Sequence, residues 1–277
     1  MLNASLITYI NLFFFVVTLI CVFVVISSKF LKLNDYIVDL SCELLPILLL
    51  ILIVRTYVFE PFKIPSESMF PQLTNGDFIL VSKYSYGIKF PYSNVTMVDT
   101  GGPKRGDVAV FEFPLDVSTY FVKRVIGVPD DHIVWKGNDI FINGEKVRTQ
   151  AMTPSGENIV AGGRYAYEYI GSHKHVIRKL VNYEPDVFNQ NYDFVKLKNQ
   201  LPVGSTDVNT LELTVPKDYY FVMGDNREKS MDSRSWGFVH KNYFVGRAFY
   251  LIFHVNPDVP FWRVWDKFSF KKSDFVQ

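Results

Sequence analysis

Tyr120-Phe121-Val122-Lys123-Arg124-Val125-Ile126-Gly127 is an apolar run, rich in β-branched and aromatic residues, with two adjacent cations in its middle. Such a run reads as a strand. Successive strand residues face opposite sides, so Lys123 shares a face with Phe121 and Val125 while Arg124 points the other way. One of the two cations is therefore expected inside. A lysine taken out of water loses the solvation of its ammonium form and becomes available as a neutral general base. On this segment alone, a lysine on an exposed edge strand is the commoner reading.

The same texture extends on both sides. Asp77–Ser82, Asp107–Phe113, Ile133–Trp135, Asp139–Asn143 with the turn Asn143-Gly144, Thr210–Val215, Tyr219–Met223 and Val245–Ile252 are short apolar or alternating runs broken by Gly, Asp or Asn, as strands are. The expected fold from residue 60 to 277 is mostly β, an antiparallel domain. Residues 144–216 are polar, irregular and rich in Gly, Asn and Lys, and read as an insertion or subdomain at the edge of that core.

Upstream the texture differs. Ala4 to Ser28 carries no charge, and at a rise of about 1.5 Å per residue this stretch exceeds a hydrocarbon layer of about 30 Å. A cleaved secretory signal needs a basic start and a shorter apolar core, and Met1–Ser5 has no Lys or Arg. The second candidate span, about residues 36–58, holds Asp39, Glu43 and Arg55 towards its ends and Pro46 inside; an amphipathic segment on the membrane surface is the other reading. Residues 1–59 are thus expected to be a two-helix anchor. Lys29 and Lys32 in the connecting loop, against no basic residue before the first span, place that loop in the cytoplasm and the bulk of the chain outside; Arg55 and Lys63 count against this.

Composition narrows the function. Of 277 residues 48% are apolar and 16% aromatic, which excludes a disordered chain, and 29 basic against 28 acidic residues leave no field to hold nucleic acid. Two cysteines, Cys21 and Cys42, both in the anchor, cannot build a thiolate metal cluster. The five histidines are scattered, and His173-x-His175 reads as a solvated loop. Neither G-x-S-x-G nor a P-loop occurs. No metal and no cofactor is expected.

Two further segments stand out. In Phe62-Lys63-Ile64-Pro65-Ser66-Glu67-Ser68-Met69-Phe70-Pro71 two prolines stiffen a turn presenting two serines just after the anchor, although an ordinary Ser/Pro linker has the same composition. Gly224-Asp225-Asn226-Arg227-Glu228-Lys229-Ser230-Met231-Asp232-Ser233-Arg234 suits a loop held by carboxylate–guanidinium pairs, or a solvated charged loop. Phe261–Phe268 could rest at a membrane interface or pack on the β domain.

Taken together, PSESMFPQL, GDFILVSKYSYGIKFP, RGDVAVF, KRVIGVP and GDNREKSMDSRSWGFV, in this order behind a two-span anchor, resemble the type I signal peptidases, the membrane-bound serine proteases that remove signal peptides. The resemblance implies Ser68 as nucleophile, Lys123 as general base, and Ser66 with the Ser68 backbone N–H as oxyanion donors. It implies Ser230 as the hydroxyl that orients the lysine. Asp225, Arg227, Asp232 and Arg234 would brace the loop, and Ile64, Met69, Leu73 and Val122 would line pockets for small side chains, giving Ala-x-Ala specificity. The implied setting is the inner membrane, catalytic domain outside, with signal peptides, lipid and the export machinery as partners. A Ser/Lys protease dedicated to one pilus or conjugation protein, a non-catalytic tethered peptide-binding domain and a self-cleaving regulator are the alternatives. The chain departs from the family at two places, three residues in all: Asp130 stands where it usually has Gly, and Glu228-Lys229 where it usually has Asp-Asn.

Overall fold

The computed structural model describes residues 2–90, 95–136, 139–153, 163–180, 210–256, 259 and 268–269. Phe261 to Lys267, and residues 154–162 and 181–209 of the segment read as an insertion, lie outside the described residues.

A two-residue strand β1 (Leu2–Asn3) precedes helices α1 (Ala4–Ser27) and α2 (Asp35–Ile53). Asn34 caps α2 by accepting the Tyr36 N–H at 3.0 Å, which satisfies one of the donors that a helix start leaves free. Tyr9, Phe13, Ile20, Phe23 and Leu50 are exposed around the pair, a surface that water would penalise and lipid would not. Both helices are long and apolar enough to cross a membrane. A π-helical turn, Val54–Val58, carries α2 into the first strand of the β part. At that junction Glu60, 2% exposed, receives Lys83 at 3.1 Å and faces Arg55 at 3.6 Å, while the Arg55 Nε–H donates to Asn11 of α1 at 2.9 Å.

The β part runs β2 (Phe59–Lys63), β3 (Asp77–Ser82), β4 (Ile88–Lys89), β5 (Thr96–Val98), β6 (Val108–Phe113), β7 (Asp116–Gly127), β8 (His132–Lys136), β9 (Asp139–Ile142) and β10 (Glu145–Lys146). There follow β11 (Arg148–Met152), β12 (Gly163–Ile170), β13 (His173–Leu180), β14 (Thr210–Thr214) and β15 (Tyr219–Met223). A short helix α3 (Ser233–Trp236) leads to β16 (Val239–His240), β17 (Phe244–Val255) and β18 (Phe268–Ser269). The principal sheet is ordered β16-β15-β7-β6-β17-β3-β2, with β1 added to β7 and β18 to β17. Smaller sheets are β10-β9-β8-β14, β11-β12-β13 and β4-β5. Among the described residues every strand pair is antiparallel, so the expected mostly β, antiparallel fold behind two apolar helices is what forms.

Three apolar clusters fill it. One, around Phe62, Ile64, Met69, Leu73, Val110 and Val122, lies under the serine turn. A second is built on Ile126, Ile133, Trp135 and Phe221, and a third on Phe111, Val125, Trp236 and Phe244. Strand β7 supplies a residue to each, and from Val122 to Gly127 it is buried without interruption. The alternation rule therefore does not leave one cation outside: Lys123 is 4% exposed and Arg124 0%. Both faces of the strand are covered, and Arg124 is tolerated there because a carboxylate meets it.

The segment 144–216 also departs from its reading as irregular. Within it β11, β12 and β13 form a meander whose β12–β13 turn passes through Gly171 at φ +58°. His175 is not in a solvated loop; it lies on β13 with 3% exposure. The period-two signal was hidden because the inward positions of this hairpin include Glu168, His175 and Arg178 as well as Ile170 and Ile177.

Candidate active site

The turn after β2 is pinned from both flanks. Ile64, Met69 and Leu73 are each 1% exposed. The Phe70 N–H donates to the Glu67 carbonyl at 3.0 Å, and the Leu73 N–H to the Met69 carbonyl at 3.0 Å. Burying these apolar side chains is worth about 1.5–3 kcal/mol each, and their burial forces the intervening Ser66 and Ser68 to the surface of a cleft. The two hydroxyl oxygens are 3.3 Å apart. Ser68 is buried and Ser66 is open to solvent.

Across from the turn, β7 presents Lys123 with its Nζ 2.5 Å from Ser68 Oγ. Desolvation by burial, the dominant influence, lowers the amine from its ordinary range to about 8; Asp232 and Asp225 oppose this and Arg234 reinforces it. The Nζ also sits 5.4 Å from the Phe121 ring centre.

Loop 224–234 closes over the lysine. Gly224 lies so close to Ser68 that a Cβ there would fall 2.4 Å from the Ser68 carbonyl oxygen and 2.2 Å from Ser230 Oγ; only glycine permits this approach. Asp225 receives a two-pronged donation from Arg124, Nε at 2.8 Å and Nη2 at 2.7 Å, with neither side chain exposed. Asp232 takes the Arg234 Nε at 2.8 Å and Nη2 at 2.8 Å, and the Gly224 N–H at 2.9 Å. Burial works to raise the Asp232 carboxyl, but the Arg234 fork and the backbone donor outweigh it and hold the group below the usual carboxylate range. Arg227 forks onto Glu168, a residue of β12 that the motif reading missed. Three carboxylates, Asp225, Glu168 and Asp232, are thereby matched to three guanidiniums, Arg124, Arg227 and Arg234. With each carboxylate so engaged, desolvation outweighs the two that lie near Lys123, and the amine gives up its proton at about 8 rather than in the ordinary lysine range.

The residues singled out from sequence meet here with two exceptions. The cleft, about 250 Å³, is walled by Ile64, Ser66, Ser68, Met69, Val122 and Lys123, together with Tyr120, Phe121, Lys229 and Met231. Leu73 packs behind it in the apolar cluster and is not part of the wall. The Ser230 hydroxyl is buried over Gly224 and has no hydrogen-bond partner among the described residues, so the contact with Lys123 expected for it is not formed. The additional wall residues Tyr120 and Phe121 were within reach of sequence reasoning, since they precede Val122 on the same strand. Arg124 and Glu168 were not, because a buried charge is recognised by its partner and the partner is remote in the chain.

Comparison with known proteins identifies the family. The family described as "Signal peptidase, peptidase S26" matches residues 37–253, a span that holds both the serine turn and β7. Signal peptidase I of Buchnera aphidicola subsp. Baizongia pistaciae is 34% identical over 253 residues, covering 83% of this chain and 81% of that protein. Signal peptidase I of Pseudomonas fluorescens is 35% identical over 231 residues, covering 79% and 74%. A solved signal peptidase I from Enterococcus faecalis is 23% identical over 53% of this chain and 97% of its own, at a TM-score of 0.29, too low for the folds to be compared. By the extent of the family match and the identity to these relatives, the chain belongs to the S26 family of signal peptidases and is a peptidase.

Proposed function

We propose that the chain is a membrane-bound serine endopeptidase that removes signal peptides from exported preproteins, with Ser68 as nucleophile and Lys123 as general base. The observation that carries this is the 2.5 Å separation of Lys123 Nζ and Ser68 Oγ inside a buried site. The neutral amine takes the Ser68 proton as Oγ attacks the scissile carbonyl carbon. The resulting oxyanion is met by the Ser66 hydroxyl and the Ser68 backbone N–H, donors of a kind commonly worth about 3 kcal/mol each. The tetrahedral species collapses, the C–N bond breaks, and Lys123 gives its proton to the leaving amine. Water, deprotonated by Lys123, then hydrolyses the Ser68 ester. Asp225, Arg227, Asp232 and Arg234 hold the loop and touch no reacting atom. Ile64, Met69 and Val122, with Leu73 filling behind them, form shallow apolar walls suited to small side chains, hence Ala-x-Ala cleavage.

Residues 1–59 are the anchor and residues 60–277 the catalytic part. Lys29 and Lys32 argue for a cytoplasmic loop between α1 and α2, and of the two cations that count against this, Arg55 faces Glu60 at 3.6 Å. The enzyme is then a two-span protein of the inner membrane with its cleft on the outer side, in lipid, working beside the export machinery. Anchoring raises the local concentration of a substrate whose own apolar core is in the bilayer.

The test is cleavage of a purified Ala-x-Ala preprotein by the full chain in detergent. Ser68→Ala and Lys123→Met are expected to fold and to be inactive. Full activity of either removes that residue from the mechanism. A processor dedicated to one pilus or conjugation protein would leave generic precursors uncut.

A further inference from the structure

We infer that Glu168 and His175, on the β12–β13 hairpin, are positioning residues that hold the loop 224–234 in register with Ser68 and keep it shut over Lys123. This rests on the Ser68/Lys123 reading.

Two routes lead from the hairpin to the site. Through the backbone, the Arg178 N–H of β13 donates to the Asp225 carbonyl at 2.9 Å, and Arg178 and Asn226 form an isolated parallel bridge. The next link is Asn226 itself: its N–H donates to the Ser68 carbonyl at 3.1 Å, and its side-chain amide to the Glu67 carbonyl at 3.0 Å. The nucleophile's own peptide is thus the end of a chain of hydrogen bonds that begins on β13. Through side chains, Glu168 accepts Arg227 Nη1 at 2.8 Å and also Nη2. The Arg227 carbonyl in turn accepts Arg234 Nη2 at 2.5 Å, and Arg234 forks onto Asp232. His175 Nε2 lies 3.1 Å from Glu168 and 3.7 Å from Asp225, between the two carboxylates.

Glu168 is 1% exposed, His175 3% and Arg227 5%. A hairpin needed only for stability could cover the loop with apolar side chains, since a buried ion pair often stabilises no better than well-packed hydrophobic residues. What the fork supplies and an apolar contact does not is direction: two parallel donors fix the plane of the Arg227 guanidinium, and with it the path of the backbone on which Ser230 stands. Burial works to raise the Glu168 carboxyl, but Arg227 and the His175 contact outweigh it and hold the group ionised, while burial keeps His175 below its ordinary range.

The hairpin acts on catalysis through water. Desolvation is the main influence on the Lys123 amine, and Glu168 is not among the charges that act on it directly. Loosening the loop admits water to Lys123, so the amine becomes harder to deprotonate. The apolar pocket walls Ile64, Met69 and Val122 stand on the serine turn and β7, while the loop adds Lys229 and Met231 to the cleft, so turnover is expected to suffer more than binding.

The full chain in detergent, with an Ala-x-Ala preprotein, tests this through kcat, KM and the pH profile. Glu168→Gln is expected to lower kcat about 10- to 100-fold with KM changed less than about twofold, and to move the rising limb of the profile upward by about half a pH unit or more. Glu168→Asp, which keeps the charge, is expected to recover part of kcat. A folded Glu168→Gln with unchanged kcat and limb, or with only a lower Tm, overturns the inference. Should Glu168→Gln fail to fold, Arg227→Lys breaks the same fork with charge retained, and the same two readouts decide. Lys123→Met separates the two levels. If it stays active, the dyad reading fails. If it is inactive while Glu168→Gln behaves as wild type, only the hairpin inference falls.

Discussion

Arg124 clasps Asp225 with both side chains wholly removed from water, at 2.7 and 2.8 Å. The pair joins β7 to the start of the catalytic loop, one residue from Lys123 on one side and one from Gly224 on the other. Two more acceptors share the guanidinium, the Gly106 carbonyl at 2.7 Å and Gln72 at 2.8 Å. Arg124→Met leaves the Asp225 carboxylate buried with its main partner gone. A loss of about 3–5 kcal/mol in denaturant unfolding is expected, with activity falling alongside. Arg124→Lys is expected to restore little, because an ammonium cannot supply the fork.

Lys123 works against the stability of its own fold. Its folded-state amine titrates near 8, below the value of about 10.4 in an unfolded chain. Between these limits the unfolded state binds more protons, so this group's contribution makes the fold more stable as pH rises from about 8 to about 10, and its penalty is fully present at lower pH. Lys123→Met is expected to be inactive yet more stable than wild type at pH 7 by about 2–3 kcal/mol, the advantage shrinking towards pH 10. Equal unfolding midpoints at pH 7 would contradict the desolvation of the amine.

The same titration sets the pH–rate profile. Only the unprotonated amine accepts the Ser68 proton, so kcat/KM is expected to rise with pH through a midpoint near 8. A profile rising only near 10 would place the lysine in water. Measurement with a short Ala-x-Ala peptide as well as a preprotein separates this limb from titrations of the substrate.

Gly224 sets the depth to which the catalytic loop can sit. Because an added methyl group would overlap the Ser68 carbonyl oxygen and the Ser230 hydroxyl, Gly224→Ala must push the loop outward. Since displacing a catalytic group by about 1 Å can cost a hundredfold, a kcat drop of that order is expected, with little change in KM. Wild-type turnover in this variant would mean that the loop closes differently during the reaction.

The strands of the principal sheet were legible as short apolar or alternating runs between turn residues. Asp77–Ser82 and Tyr219–Met223 form with the bounds that alternation and turn residues marked. The contact between Ser68 and Lys123 was legible through a pattern of motifs, although neither segment alone distinguished a nucleophile from a Ser/Pro linker or a base from a surface lysine. Glu168 escaped notice because its meaning lies in Arg227, a distant residue whose charge it matches. Asp130 is the converse case. Where the family usually has glycine, Asp130 adopts φ +69°, a conformation aspartate tolerates, and its N–H donates to the Val215 carbonyl at 2.9 Å.

No flexible tether separates α2 from the sheet: the π turn Val54–Val58 enters β2 directly, and Asn11, Arg55, Glu60 and Lys83 knot the two together. Helix pair and cleft therefore lean as one piece. Any change in the inclination of the helices is copied into the elevation of the Ser68 hydroxyl, so a thicker or thinner bilayer should alter which peptide bond of a given precursor arrives at it.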